Sequence, residues 1–137
     1  MILISCVDEH MGIMFNGRRQ SQDSALRERI VQVSSKSKLW MNRYSETQFK
    51  ENNASHINIS DYFLNEAASG EFCFVEDKQV KKYESSIEII ILYKWNKSYP
   101  SDMFFDIDLS EWKCVRSTDF AGNSHERITE EIYTRNY

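Results

Sequence analysis

The sequence contains little glycine, little proline and no long hydrophobic run. Four glycines and one proline among 137 residues are too few for a low-complexity or disordered chain. No apolar stretch approaches the roughly 20 residues that a membrane-spanning helix needs, so we expect no membrane partner. The first residues, MILISC, lack the basic region of a signal peptide. These absences predict a cytoplasmic protein.

Cysteine is also scarce, and basic residues are fewer than acidic ones. The three cysteines are Cys6, Cys73 and Cys114. Their odd number and the lack of CxxC spacing argue against a disulfide framework and a zinc site. The three histidines form no known metal-binding motif, so we expect no metal. Lysine and arginine number 17 against 21 acidic residues, and the net charge of −4 argues against a nucleic-acid partner.

The chain is short enough to form one domain, residues 1–137, with no internal repeat or linker. A continuous apolar run, Ile2–Val7, predicts a strand that is buried on both faces. A helix is predicted from near Asp23 to Val33, because Leu26, Ile30 and Val33 form one apolar stripe. Further strands are predicted at 39–41, 55–59, 72–75, 87–95, 112–120 and 127–135.

This alternation of strands and helices predicts an α/β domain with three layers. We expect a central, mostly parallel sheet, helices on both of its faces and a C-terminal antiparallel strand pair. The first strand is expected to lie in the middle of the sheet. Smaller helices are predicted to begin at Glu46, behind a capping box at Ser45, and after Ser60 or Asp61, ending at Gly70. One or two further helical turns are predicted within 76–83.

Four segments, taken in order, resemble dihydrofolate reductase over most of the chain. They are the loop with Val7-Asp8, Gly12-Ile13 and Asn16-Gly17; the strand-to-helix segment 40–45; the last third with Ile91-Leu92-Tyr93, Phe104-Phe105 and Trp112; and the turn Asn123-Ser124-His125. The resemblance implies a dihydrofolate reductase-like fold in a shortened, divergent form.

The same resemblance implies where a site would lie. Asp23 falls where the family keeps the acidic residue that binds the pterin ring, and it is the candidate catalytic residue. Arg43 and Ser45 fall where the family contacts cofactor phosphates, and they are the candidate cofactor-binding residues. Each has a structural alternative, because Asp23 could cap a helix and Arg43 could be a surface residue beside a capped helix.

Several departures from the family weaken the expectation of NADPH binding. Glu76 and Asp77 stand where the family has two glycines that let the backbone approach the cofactor pyrophosphate. Two carboxylates would fill that space and repel a polyanion. The glycine before the phosphate-binding arginine is Asn42, the active-site loop has Arg18 or Arg19 in place of tryptophan, and 50–55 is too short for a further strand. We therefore expect no cofactor, with NADPH as a weakened possibility.

Three functions remain open from the sequence. The first is a dihydrofolate reductase-like protein without normal NADPH-dependent activity, acting as a small-ligand-binding or regulatory domain. The second is an active reductase of a pterin-like or other small substrate, with Asp23, Arg43 and Ser45 at its site. The third is a non-catalytic interaction module that forms a homodimer through a sheet edge. A Ser/His/Asp triad is compatible with the composition, although the sequence has no GxSxG motif.

Overall fold

The computed structural model describes residues 1–135, which form ten strands and three α-helices. The strands are β1 (Ile2–Val7), β2 (Gly12–Phe15), β3 (Arg18–Arg19), β4 (Leu39–Met41), β5 (Ile57–Ile59), β6 (Phe72–Phe74), β7 (Ile89–Lys94), β8 (Met103–Phe104), β9 (Trp112–Phe120) and β10 (Ile128–Arg135). The helices are α1 (Ser24–Val33), α2 (Arg43–Phe49) and α3 (Phe63–Glu66), and 3₁₀ turns occupy Lys81–Ser86 and Leu109–Glu111.

The main sheet has the order β5-β4-β6-β1-β7-β10-β9. Strand β1 lies fourth and pairs in parallel with β6 on one side and β7 on the other. Strand β10 returns antiparallel between β7 and β9. The predicted fold class, the central position of the first strand and the C-terminal antiparallel pair are all confirmed.

The side chains of β1 alternate between two hydrophobic layers. Leu3 and Val7 face a layer that includes α3 and the 3₁₀ region, whereas Ile4 faces a layer that includes α1 and α2. Alternation of this kind is required when both faces of a sheet are covered, because successive side chains of a strand point to opposite sides. Leu3, Ile4 and Val7 are fully shielded from solvent. The sheet is therefore the middle of three layers.

A buried ionic network fastens α1 to the sheet. The guanidinium of Arg29 donates two hydrogen bonds of 2.8 Å to the carboxylate of Glu130 in β10. Tyr93 in β7 donates a third, also of 2.8 Å, to the same carboxylate. Burial and the negative charge of Glu130 raise the pKa of the Tyr93 hydroxyl, so it stays a donor. The network fixes the position of α1, whose first turn contributes to the candidate site.

The structure corrects three local predictions. Helix α2 begins at Arg43, three residues before the predicted start at Glu46. The side chain of Asn42 caps it by accepting a hydrogen bond from the Ser45 amide. Helix α3 ends at Glu66 and not at Gly70. The turns expected within 76–83 form later, as the 3₁₀ segment Lys81–Ser86.

A second sheet, with the order β3-β2-β8, lies in a region that we predicted to be loop. Its strands have two to four residues, too few to produce a hydrophobic period in the sequence. The turn between β2 and β3 consists of Asn16 and Gly17, within the predicted loop. Asn16 and Gly17 both have positive φ, 53° and 72°, as a two-residue hairpin turn requires. This small sheet positions Arg19 beside the main sheet.

Strand β9 forms one edge of the main sheet and carries a bulge. Arg116 pairs with Ile132 and Cys114 with Tyr133, so Val115 is left between them without a cross-strand partner. Bulges of this kind twist an edge strand and discourage pairing with another chain. A homodimer through the sheet edge stays a prediction, and this bulge would have to be accommodated within it.

Candidate functional site

An ion pair between Arg19 and Glu76 closes the space between the small sheet and α2. The guanidinium donates from Nε to Oε1 of Glu76 at 2.9 Å and from a terminal nitrogen to Oε2 at 3.2 Å. Glu76 directly follows the strand segment 72–75, at the carboxyl end of β6. The Arg19 guanidinium also lies 4.5 Å from the centre of the Tyr44 ring. Burial works against this charge, but the Glu76 carboxylate outweighs it and raises the pKa of Arg19.

Two side chains of α2 also donate to the Glu76 carboxylate. The hydroxyl of Ser45 donates to Oε2 at 2.8 Å, and the amide nitrogen of Gln48 donates to Oε1 at 2.6 Å. Each carboxylate oxygen therefore accepts one bond from Arg19 and one from α2. Glu76 is 8% exposed and Ser45 is fully buried. The Ser45 hydroxyl, expected at a cofactor phosphate, is already bound to a carboxylate of the same chain.

The first turn of α2 is bound by further acidic side chains. Asn42 donates from its amide nitrogen to both oxygens of Asp77, at 3.0 and 3.2 Å. The Arg43 amide donates to Asp61 at 3.3 Å, and the Arg43 guanidinium lies 3.7 Å from the same carboxylate. The Arg43 side chain is 82% exposed. Arg43 therefore lies at the surface beside Asp61, whereas Ser45 is buried against Glu76.

The structure places Asp23 at the junction of α1 with the turn that joins β9 to β10. Its Oδ1 accepts from the amides of Ala25 and Leu26, so Asp23 is the N-cap of α1. The amides of 123, 124 and 125 all donate to the same carboxylate, at 2.8 to 3.1 Å. The ring nitrogen Nδ1 of His125 lies 3.0 Å from Oδ2. The side chain of Asp23 is fully buried.

Gly122 permits this close approach of the turn to Asp23. A Cβ atom at Gly122 would lie 2.7 Å from Oδ2 of Asp23 and 2.6 Å from the carbonyl oxygen of His125. Carbon atoms do not approach oxygen atoms so closely, so any side chain here would push the turn away from α1. The glycine and the carboxylate therefore depend on each other. The Asp23 carboxylate serves as a clamp between two parts of the chain that are about a hundred residues apart.

The other side of the His125 ring faces two hydroxyl groups. Its Nε2 lies 2.9 Å from the Ser21 hydroxyl and 3.1 Å from the Tyr99 hydroxyl. The Trp95 ring stacks on the imidazole, with 4.5 Å between the ring centres and 26° between the planes. The imidazole is thus fixed by contacts on its face and at both nitrogens.

Little space remains between these groups. The cavity that separates Arg19 and Glu76 from Ser21 and Trp95 has a volume of about 10 Å³, roughly that of one water molecule. Cys6, at its wall, is half-buried, and desolvation together with the nearby Glu76 charge raises the pKa of its thiol well above the usual value. Cys6 is therefore a neutral thiol. Asp23 does not line this cavity.

Neither a protein-family model nor a curated protein matches the sequence. Among solved structures, the chain is similar to a dihydrofolate reductase from Enterococcus faecalis complexed with NADP(H) and RAB-propyl. The TM-score is 0.71 at 14% sequence identity, and the match covers 99% of this chain and 96% of that one. The chain has the dihydrofolate reductase fold. The predicted resemblance is confirmed at the level of the fold, with sequence divergence as expected.

Two other features of residues 1–135 bear on the site. No group of three or more metal-ligating side chains converges among them. Their longest helix, α1, has ten residues, so no helix in this part of the dihydrofolate reductase-like fold could cross a bilayer. The catalytic role of Asp23 and the cofactor role of Arg43 and Ser45 stay predictions. In the structure, Arg43 is exposed and contacts Asp61, whereas Ser45 is buried and contacts Glu76.

The sequence did not indicate the partners of Glu76. From the sequence, Arg19 is one of two candidates for the position of the family's tryptophan, and Gln48 is only the third residue after the Ser45 of a predicted capping box. The negative charge of Glu76 was the feature of the sequence that could have indicated a partner, because an acidic residue at the end of a buried strand needs a cationic partner. The association of Ser21 and His125 has no local signature, because 104 residues separate them.

The Asp23 clamp predicts a specific response to acid. Burial alone would raise the pKa of Asp23, but hydrogen bonds from Asn123, His125, Ser124 and Leu26 outweigh it and lower the pKa below the usual 3.8. A lowered folded-state pKa stabilises the fold at pH values above the unfolded-state pKa, and the contribution is lost as the pH falls further.

We expect thermal unfolding below about pH 4 to show a steeper loss of stability with falling pH in the wild type than in Asp23→Asn. The amide has no carboxyl group to protonate, but it retains an oxygen that can cap α1. Parallel pH dependences for the two proteins would contradict the assigned pKa shift.

Proposed function

We propose that the protein is a divergent member of the dihydrofolate reductase fold without ordinary NADPH-dependent reductase activity, acting as a small-ligand-binding or regulatory domain. The observation that carries the proposal is the Glu76 carboxylate, which accepts bonds from Arg19, Ser45 and Gln48. Ser45 falls at a position where the dihydrofolate reductase family contacts cofactor phosphates. Here a carboxylate of the chain takes that hydroxyl.

Charge supports the proposal as well as geometry. A phosphate that approached Ser45 would displace Glu76 or share its donors, and either arrangement places like charges within a few ångströms. At about 4 Å and an effective dielectric constant near 20, two unit charges repel by about 4 kcal/mol. Asp61 and Asp77 lie at the same end of α2 and add to the negative field. The residues here do not fit an NADP(H) phosphate.

The free space also favours a role outside the usual cleft. The cavity beside Glu76 holds about 10 Å³, which is too small for a pterin or nicotinamide ring. A groove of about 550 Å³ lies at the other end of α2, against the edge strand β5. Its wall combines Phe49 and Ile57 with Glu46 and Lys50. A small ligand with both apolar and polar groups fits such a wall better than it fits the closed cleft.

A thermal-shift panel with NADPH, folate, nucleotides and flavins tests the proposal. Binding to the folded state alone stabilises by RT ln(1 + [L]/Kd), about 2.7 kcal/mol when the ligand is at 100 times its Kd. We expect no shift with NADPH and no NADPH oxidation in the presence of dihydrofolate. A clear NADPH shift together with dihydrofolate turnover would reject the proposal and favour the active reductase.

A further inference from the structure

Asp23, His125 and Ser21 form a continuous hydrogen-bonded line. Oδ2 of Asp23 lies 3.0 Å from Nδ1 of His125, and Nε2 of the same ring lies 2.9 Å from the hydroxyl of Ser21. Both distances fall within the range required of a nucleophile and base in contact, and of a base and its orienting group. The three residues come from the end of the first loop, the start of α1 and the β9–β10 turn.

The tautomer of His125 follows from its partners. The Asp23 carboxylate, with its lowered pKa, is an acceptor, so Nδ1 of His125 carries the proton and donates to it. In this tautomer Nε2 carries a lone pair, and it is directed at the hydroxyl groups of Ser21 and Tyr99. A lone pair in this position can accept the proton of a serine hydroxyl.

Solvent exposure increases from Asp23 through His125 to Ser21, as nucleophilic catalysis requires. The side chain of Asp23 is fully buried, that of His125 is 3% exposed, and Ser21 is half-buried at the wall of the cleft. Trp95 stacks on the imidazole and prevents its rotation. Asp23 is held by the amides of 123–125, so the carboxylate cannot move away from the ring. The base is therefore preoriented towards Ser21.

We propose that Ser21, His125 and Asp23 form a nucleophile, general base and orienting carboxylate for acyl transfer from small carboxylic esters. The Ser21 oxygen forms a bond to the ester carbonyl carbon while its proton passes to Nε2 of His125. The bond to the alkoxy group then breaks, and this group leaves as an alcohol with that proton. Water attacks the acyl-serine through the same base, releasing the carboxylic acid and restoring Ser21.

The surroundings limit the substrate to a small acyl group. Arg19 and Glu76 line the same cavity of about 10 Å³ as Ser21, and their ion pair leaves room there for about one water molecule. A space of this size admits no acyl group, so the ester must reach the half-buried Ser21 hydroxyl from solvent, and a small acyl group is the easiest to bring to it. The proposal concerns a different chemistry from hydride transfer and stands whether or not NADPH binds.

Labelling with an alkyl fluorophosphonate tests the proposal, because this reagent phosphonylates serines that a neighbouring base activates. We expect intact mass spectrometry to show one adduct, peptide mapping to place it on Ser21, and p-nitrophenyl acetate to be hydrolysed. Ser21→Ala should remove the adduct and the hydrolysis, whereas Ser117→Ala, at an exposed position of β9, should retain both.

Two further variants separate a chemical role from a structural one. His125→Gln keeps Ser21 but removes the base, so labelling and hydrolysis should fall at least about 100-fold while circular dichroism shows a folded chain. Tyr99→Phe removes the hydroxyl that competes with Ser21 for Nε2, so the labelling of Ser21 should be faster. A folded wild-type protein without an adduct at Ser21 would overturn the proposal, and so would labelling of Ser21 at an unchanged rate in folded His125→Gln.

Discussion

Asp23→Ala is expected to lower the free energy of unfolding by about 3 to 5 kcal/mol, the range for breaking a buried charged contact. The substitution removes the N-cap of α1, a loss of about 1 kcal/mol by itself. It also leaves the amides of 123–125 without their acceptor. Residues 123 and 124 are exposed, but the amide of the buried His125 alone then costs about 1 to 3 kcal/mol. Urea unfolding followed by circular dichroism measures the loss.

Asp23→Asn is the matched control. Asparagine caps helices about as well as aspartate, so α1 should keep its cap. The negative charge is lost, and an NH₂ group replaces one carboxylate oxygen. This group is a hydrogen-bond donor and faces the backbone donors of the turn. We expect a loss between that of Asp23→Ala and zero. A loss below about 1 kcal/mol for Asp23→Ala would contradict the clamp, because the cap alone accounts for that amount.

Glu76→Ala is expected to lower the free energy of unfolding by about 3 kcal/mol, because it leaves the largely buried charge of Arg19 without its partner. The hydroxyl of Ser45 and the amide of Gln48 lose their acceptor at the same time. A double-mutant cycle with Arg19→Ala isolates the ion pair from these other losses. The double variant should be more stable than the sum of the two single losses implies.

Asp77→Ala provides a matched control on the adjacent residue. Its carboxylate accepts only from Asn42 among the contacts described above, and it is less buried than Glu76. We expect a loss of about 1 kcal/mol, typical of one hydrogen bond. Equal losses for the two variants, or a coupling energy near zero between Arg19 and Glu76, would show that the ion pair does not hold the cleft closed.

The sequence predicted the elements whose pattern is long and periodic. Ile2–Val7 and Trp112–Phe120 begin and end where expected, and α1 begins one residue after its predicted start. These segments bury continuous or regularly spaced apolar side chains, so the hydrophobic pattern alone determines them. The order of the elements was sufficient for the topology, since parallel strands with helical crossovers leave few arrangements.

The elements that the sequence did not predict correctly are short or depend on distant contacts. Strand β8 of the small sheet pairs with β2 across about 90 residues, as Phe104 and Gly12 do, and such short strands leave no local period. Helix α2 starts at Arg43 because Asn42 caps it, although the sequence offered Ser45 as an equally good cap. In the structure the Ser45 hydroxyl bonds to Glu76 instead. Local capping rules cannot resolve such a choice, because a residue 31 positions away decides it.

The candidate site was only partly predictable for the same reason. The sequence identified Asp23, Ser45 and Glu76 as unusual positions, but it could not assign their partners. The structure binds Ser45 directly to Glu76 and binds Asp23 to the β9–β10 turn. Ser45, predicted to bind the cofactor, and Glu76, predicted to repel it, thus share one hydrogen bond. Partners of this kind follow from the folded topology and have no pattern in the sequence.

The most direct test of the account is a titration of NADPH, followed by nucleotide fluorescence, against the wild type and the double variant Glu76→Gly/Asp77→Gly. We predict no saturable binding to the wild type at about 1 mM NADPH, a concentration that corresponds to a binding free energy of only about 4 kcal/mol. Removal of both carboxylates should produce measurable binding, provided that circular dichroism shows a folded variant. Micromolar binding of NADPH to the wild type would contradict the claim that its own carboxylates take the place of a cofactor phosphate.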